Sequence, residues 1–280
     1  CLLWQGLAQI AFKNAVACIA AIAGPGSISK FPQCTRTALG HGSTMAFPPV
    51  TAPTHRSTIL SILVVGSVAY DSVKTQAGSR KDALGGSATF FSISSSYFAP
   101  VSVVAVVGED FRNSDVELLE GHGVDVSGLE RRSGKTFRWS GVYDTEDSNT
   151  RETLSTQLNV FAGFVPKLNQ DHRSAQYLFL ANIAPELQMA VLDQMEERPK
   201  LVALDSMALW IDISIEALER IIRKVDVLFL DEGEVRNFTK RSNLVEAAQE
   251  IMAMGPSAVV AKRGDHGLLM FHGDSICSAP

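Results

Sequence analysis

The chain has 280 residues, of which 46% are hydrophobic, and a formal net charge of −5. This size and composition suit one large soluble α/β domain, and the weak acidity without a long basic run argues against a nucleic-acid-binding protein. The cysteines show no C-x-x-C spacing, which indicates reduced thiols in a cytoplasmic protein rather than a disulfide framework or a zinc site.

The first 57 residues differ in composition from the rest. A short apolar run after Lys13, with Ala-Ile-Ala at 21–23, resembles a signal peptide, but it is shorter than the roughly 20 apolar residues that span a bilayer. The Gly-, Pro-, Ser- and Thr-rich stretch that follows is aperiodic and predicts disorder. We therefore expect residues 1–57 to lie outside the fold, either as an export signal or, as we favour, as sequence upstream of a true start at Met45.

From Ile59 onwards, short apolar runs alternate with helical patterns. The runs "TILSILVVGS", "VSVVAVVG", "YLFLAN", "KLVALD", "VDVLFLD" and "AVVAKRG" predict buried strands. Amphipathic stretches between them, such as "SIEALERIIRK" and "NLVEAAQEIMAM", predict helices. Buried strands that alternate with amphipathic helices are typical of a parallel sheet covered on both faces.

Two stretches break this alternation. Residues 71–83 are too polar for a crossover helix, and residues 135–157 predict a hairpin with its turn at "DTEDSN". Phe137, Trp139 and Tyr143 fall on one side of the first hairpin strand. We therefore predict a small β layer that grows out of the sheet near its first crossover.

Asp71 and the pair Gly85-Gly86 are candidates for a ligand site. Asp71 lies five residues beyond the end of the first strand, where a carboxylate can accept hydrogen bonds from neighbouring hydroxyls of a polyol or sugar. The glycine pair precedes a helix, so a ligand could approach its backbone and the helix amides closely. Taken singly, a solvated turn residue and a tight turn explain these residues equally well or better.

Candidate residues for a phosphate site follow two later strands. Asp231 and Glu234 could arrange a hydrated Mg²⁺, or they could be acidic residues that suit a helix N-terminus. Lys262 ends a strand and could meet a phosphate as a point charge, with Gly264 and Gly267 forming the turn that follows.

The ordered set "VVGSVAYD", "GGSATFFSISSSYFA", "VAVVGEDF", the aromatic hairpin, "DEGE" and "VVAKRGDHG" resembles the ribokinase-like (PfkB) carbohydrate kinase family from Ile59 to Pro280. The resemblance implies a three-layer α/β/α sandwich over residues 58–280, with a mostly parallel sheet and a small β lid formed by about 71–83 and 135–157. It also implies ATP- and Mg²⁺-dependent phosphorylation of a sugar or nucleoside in the cytoplasm, without membrane contact, and a homodimer formed through the lids.

The same resemblance assigns the site residues. It places Asp71, Gly85, Gly86 and Asn182 at the substrate. It places Lys262, Gly264 and Gly267 at the nucleotide, and Asp231 and Glu234 at the metal and phosphates. The chain departs from the family at Phe90, where an Asn is usual, and at Asp231, which stands first in the N-x-x-E pattern and adds a negative charge.

The G-A-G-D motif, which supplies the anion hole and the catalytic base in this family, does not occur in the 280 residues. Because phosphoryl transfer depends on positioning and charge stabilisation, we expect a chain truncated before this motif to be inactive on its own. Two other functions stay open from the residues alone. One is a non-catalytic sugar- or nucleoside-binding protein. The other is a nicotinamide-dependent oxidoreductase, which the absence of G-x-G-x-x-G after the first strand disfavours.

Overall fold

The computed structural model describes residues 61–143 and 151–279. The predicted extension, residues 1–57, and the predicted turn of the aromatic hairpin lie outside the described residues. The strands are β1 (Ile62–Val65), β2 (Ala69–Thr75), β3 (Gly78–Gly85), β4 (Val101–Gly108), β5 (Val124–Arg132), β6 (Arg138–Tyr143), β7 (Arg151–Gln157), β8 (Tyr177–Leu180), β9 (Leu201–Asp205), β10 (Val227–Asp231), β11 (Ala258–Lys262), β12 (Leu268–His272) and β13 (Ser275–Ala279). The α-helices are α1 (Ser87–Ser96), α2 (Asn113–Gly121), α3 (Gln170–Arg173), α4 (Pro185–Leu192), α5 (Ala208–Ile213), α6 (Ile215–Ile222), α7 (Glu232–Thr239) and α8 (Leu244–Met254).

A large sheet forms the centre of the fold, in the order β13-β12-β11-β10-β9-β8-β1-β4-β5. All neighbours from β11 to β5 are parallel, and β12 and β13 extend the other edge in antiparallel fashion. Buried apolar side chains form one cluster on each face of this sheet, which explains why the strands read as continuous apolar runs. Full burial of each large apolar side chain, such as Leu63 or Phe229, contributes about 1.5–3 kcal/mol. The architecture confirms the predicted mostly parallel α/β fold.

A second sheet of four strands has the order β3-β2-β6-β7. β2 pairs with β3 and β6 with β7 in antiparallel fashion, whereas β2 and β6 are parallel. Residues 71–83, which the resemblance assigned to the lid, form most of the β2–β3 hairpin within this small sheet. The chain enters the small sheet twice, between β1 and β4 and again between β5 and β8.

Arg138 anchors the small sheet to the loops around β4. Its guanidinium forms ion pairs with Asp82 at 3.1 Å and with Asp110 at 2.7 Å, and it lies over the ring of Tyr70 at 5.3 Å from the centroid. The Tyr70 hydroxyl donates a hydrogen bond to Asp115 in α2 at 2.7 Å. These contacts fix β2, and with it the neighbouring Asp71, relative to the large sheet.

Two strands were absent from the sequence prediction. β5 lies at the edge of the large sheet and alternates polar with apolar residues, and the polar run after β12 pairs as β13. Among the described residues, no helix is both long and apolar enough to cross a bilayer.

Candidate active site

Three of the predicted site residues lie at one edge of the large sheet. β1, β8, β9, β10 and β11 are parallel, so their carboxyl ends meet at the same edge. Asn182 follows β8, and Asp231 and Lys262 end β10 and β11, where they are paired in register. Ligands of open α/β sheets bind beyond this edge.

Asp71 lies in β2 against the Gly85-Gly86 pair. A side chain on Gly85 would overlap the Asp71 carboxylate, and a side chain on Gly86 would overlap the carbonyl of Ser67. Gly86 also has a φ of 94°, a conformation that glycine alone adopts without strain. The Gly86 amide donates a hydrogen bond to Asp71. Burial raises the pKa of Asp71 to about 7, although this hydrogen bond opposes the rise.

Asn182 is joined to the same turn from the side of β8. Its backbone amide donates to the Ser87 hydroxyl at 2.7 Å, and the Ser87 amide donates to the Ser67 hydroxyl at 3.3 Å. Asn182 and Asp71 therefore both contact the Gly86-Ser87 step, Asp71 through the Gly86 amide and Asn182 through the Ser87 hydroxyl. Sequence reasoning missed both serines, although each directly follows a glycine at the end of a strand.

Asp231 and Glu234 form a capping box at the start of α7. The Glu234 amide donates to the Asp231 carboxylate and the Asp231 amide donates to the Glu234 carboxylate, each at 2.7 Å. The other Glu234 oxygen accepts from the amide of Ala208, the first residue of α5, at 3.0 Å. Burial raises the pKa of Glu234 to about 7, against the opposing effect of Lys262. The helix-terminal role considered above is thus observed for both residues.

Lys262 is paired with Asp205, a residue that the sequence did not single out. The Lys262 ammonium lies 2.7 Å from the buried Asp205 carboxylate. Burial lowers the pKa of Lys262, but Asp205 and Glu234 outweigh this effect and raise it, so the side chain stays charged. The final Asp of "KLVALD" was a usable signal, because it ends a buried parallel strand just as Asp231 does.

Gly264 and Gly267 bound the turn between β11 and β12. Gly264 begins a 3₁₀ turn, Gly264–His266, and the amide of Arg263 donates to the carbonyl of Gly267 at 2.8 Å. The structure therefore places these glycines in the tight turn that the sequence predicted, next to Lys262.

A cavity of about 320 Å³ lies elsewhere, beside the edge strand β5 and the segment that carries Phe164 and His172. None of the predicted site residues lines it. The candidate active site lies instead at the carboxyl edge of the sheet, where Asn182, Asp231 and Lys262 are found.

Comparison with known families and proteins gives a consistent result. The pfkB family carbohydrate kinase model matches residues 59–280. A cytidine kinase from Thermococcus kodakarensis is 26% identical over 219 residues, which cover 77% of this chain and 77% of that protein.

Solved structures share the fold at lower identity. Ribokinase from Thermotoga maritima superposes with a TM-score of 0.58 at 19% identity, covering 79% of this chain and 77% of that one. A nucleoside kinase from Methanocaldococcus jannaschii gives a TM-score of 0.58 at 17% identity, with 79% and 76% covered. A putative ribokinase II from E. coli, in complex with ATP and Mg²⁺, gives 0.59 at 16% identity, with 79% of each chain covered.

Proposed function

Because this chain belongs to the pfkB family of carbohydrate kinases, we propose that its cleft takes ATP as phosphoryl donor and a nucleoside, with cytidine as the first candidate, as acceptor. The name of the curated relative, a cytidine kinase, supports a nucleoside over a free sugar. The observation that carries the proposal is the convergence of Asp71, Gly86 and Asn182 on one turn at the carboxyl edge of the sheet. The family match also favours a kinase over the oxidoreductase and the non-catalytic binding protein considered above.

Asp71 binds the acceptor hydroxyls in this proposal. Asp71 is largely buried but keeps part of its surface exposed, so its carboxylate can accept hydrogen bonds from two neighbouring hydroxyls of one ribose. The ligand approaches the glycine backbone closely, because no side chain intervenes at 85 and 86. Bound hydroxyls also replace part of the water that Asp71 has lost, so they offset the cost of its burial.

Trp139 lies on the same face of the small sheet as Asp71. The two residues are paired in register on the parallel strands β2 and β6, so their side chains point to the same side. The Trp139 indole donates to the Thr153 hydroxyl at 3.3 Å. The small sheet thus covers the acceptor with an aromatic side chain, as a lid would.

The donor end lies at β10 and β11. Within residues 61–143 and 151–279, no group of three or more His, Cys, Asp or Glu side chains is arranged as metal ligands. Glu234 accepts backbone amides with both oxygens, so it does not fit a direct metal ligand. Asp231 is partly exposed and fits contact with a hydrated Mg²⁺, which keeps several waters and is held largely by substrate phosphates.

ATP and Mg²⁺ would supply the phosphoryl group and neutralise charge on it, and the protein would contribute positioning and electrostatics. Lys262 carries a positive charge at this end of the cleft, held in place by Asp205. Asp71 holds the acceptor hydroxyls at the other end. The two residues therefore serve different substrates, and this makes the proposal testable.

Binding of cytidine, ribose and ATP, each measured by calorimetry, tests the proposal. A hydrogen bond to a charged acceptor contributes roughly 1.5–3 kcal/mol, so Asp71→Ala should raise the Kd of the acceptor by about one to two powers of ten. The Kd of ATP should not change. Asp193→Ala removes an exposed carboxylate at the end of α4 and serves as the matched control. A chain that binds neither cytidine nor ribose, or an Asp71→Ala variant with wild-type affinity for both, would refute the proposal.

A further inference from the structure

Asn182 is held by three hydrogen bonds at the acceptor end of the cleft. Its backbone amide donates to Ser87, as described above. Its side-chain oxygen accepts from the indole N–H of Trp210 at 2.8 Å. Its side-chain nitrogen donates to the sulfur of Met207 at 2.9 Å. The side chain is partly exposed, so it can reach a ligand without moving.

The contact with Trp210 decides which way the amide points. An indole N–H can only donate, so the Asn182 atom that it meets must be the carbonyl oxygen. The amide nitrogen carries two hydrogens, and one of them is directed at the weakly accepting thioether of Met207. The side chain keeps one further N–H donor and a second oxygen lone pair, and the Trp210 contact fixes the side on which each is offered.

Trp210 is itself fixed from two sides. It lies in the short helix α5, whose first amide, that of Ala208, donates to the buried carboxylate of Glu234. Its ring packs against the apolar cluster on one face of the large sheet. A rigid partner of this kind keeps the rotamer of Asn182 from adapting to the ligand.

We propose that Trp210 is a positioning residue of the acceptor site, which orients Asn182 as a hydrogen-bond donor and so selects acceptors that place a ring nitrogen, a carbonyl oxygen or a hydroxyl oxygen against it. This inference rests on the proposed function. Trp210 touches neither the acceptor nor the phosphates in this scheme, because it acts through Asn182 alone.

A double-mutant cycle with cytidine as the probe tests the inference. Trp210→Phe keeps the aromatic packing and removes only the N–H, so the Kd of cytidine should rise about 2- to 12-fold, the equivalent of one neutral hydrogen bond. The Kd of ATP should stay unchanged. In an Asn182→Ala background, the same substitution should have no further effect on cytidine. An effect of Trp210→Phe that persists in this background would overturn the positioning role.

Asn182→Asp tests the donor separately. The carboxylate still accepts from Trp210 but has no N–H, so cytidine should bind more weakly, whereas unchanged or tighter binding would overturn the donor assignment. The Trp210 indole N–H, followed by hydrogen exchange without ligand, should exchange faster in Asn182→Ala if the bond exists, and an unchanged rate would refute it. A wild-type chain that binds no acceptor refutes the proposed function itself. Cytidine binding that changes neither with Trp210→Phe nor with Asn182→Asp refutes only this inference.

Discussion

Replacing Asp71 with asparagine should stabilise the ligand-free protein at pH 8 and, under the proposed function, should weaken acceptor binding. Burial raises the pKa of Asp71 from its ordinary value of 3.8 to about 7. At a pH between these two pKa values, the folded protein keeps a proton on Asp71 that the unfolded chain has already released. The contribution of Asp71 to stability is therefore complete below about pH 4 and is lost as the pH rises to about 7.

The expected size follows from the same pKa change. A rise from 3.8 to about 7 corresponds to about 4 kcal/mol as an upper bound. By this amount the difference in free energy of unfolding between Asp71→Asn and the wild type should be larger at pH 8 than at pH 3.5. Between pH 4 and 7 the advantage of the variant should grow by up to about 1.4 kcal/mol per pH unit. Asparagine keeps an oxygen that can accept the Gly86 amide, so the substitution isolates the charge.

Urea denaturation of both proteins across this pH range gives the free energies of unfolding. Only their difference is needed, because other carboxylates titrate in both proteins and cancel. Asp193→Asn removes an exposed carboxylate and controls for the loss of one negative charge. If the wild-type and Asp71→Asn curves run parallel from pH 4 to pH 8, the buried carboxylate does not oppose folding and the reasoning is refuted.

Three further substitutions or measurements test the site. Gly85→Ala should lower the free energy of unfolding by roughly 1–3 kcal/mol in denaturation experiments, because its methyl group would overlap Asp71. The control Gly121→Ala has nothing within 4 Å of the added carbon and should leave the packing intact. Equal losses of stability in the two variants would contradict the close approach of Gly85 to Asp71. Asp231→Ala should cost about 0.5–2 kcal/mol of stability through loss of the helix cap, and thermal unfolding without a change would show that α7 does not depend on it. The part of the tryptophan emission that Trp139→Phe removes should change when cytidine binds or when the protein dimerises through the small sheet. If that part depends on neither ligand nor protein concentration, the Trp139 side chain is not near either surface.

The main sheet was predictable because its strands are buried on both faces. In a pattern that alternates with amphipathic helices, runs such as "VDVLFLD" and "AVVAKRG" predict buried strands. β10 and β11 end within a residue of the prediction. β5 and β13 were not predicted, because edge strands expose one side and carry polar residues. Their strand state comes from pairing with β4 and β12, which no local pattern encodes.

Asn182, Asp231 and Lys262 could be placed at the carboxyl edge from the sequence, because each ends or closely follows a buried strand. Asp71 lies within β2, and only the family resemblance assigned it to one site with Asn182. The capping box of Asp231 and Glu234 follows from their three-residue spacing, so the sequence alone allowed both a metal site and a helix N-terminus at these residues. Trp210 carried no signal, because its contact with Asn182 spans 28 positions and depends on how α5 packs.

The way in which the chain threads the two sheets also constrains how such a protein can diverge or be redesigned. The small sheet consists of two inserts, one that carries β2 and β3 and one that carries β6 and β7, and the parallel pairing of β2 with β6 joins them. Neither insert completes a sheet alone, so neither can be deleted or exchanged without the other. A recombination breakpoint between residues 86 and 137 would combine inserts from two different proteins. The two inserts would then have to match along the pairing of β2 with β6. Transfer of the small sheet between relatives therefore requires both inserts to move together.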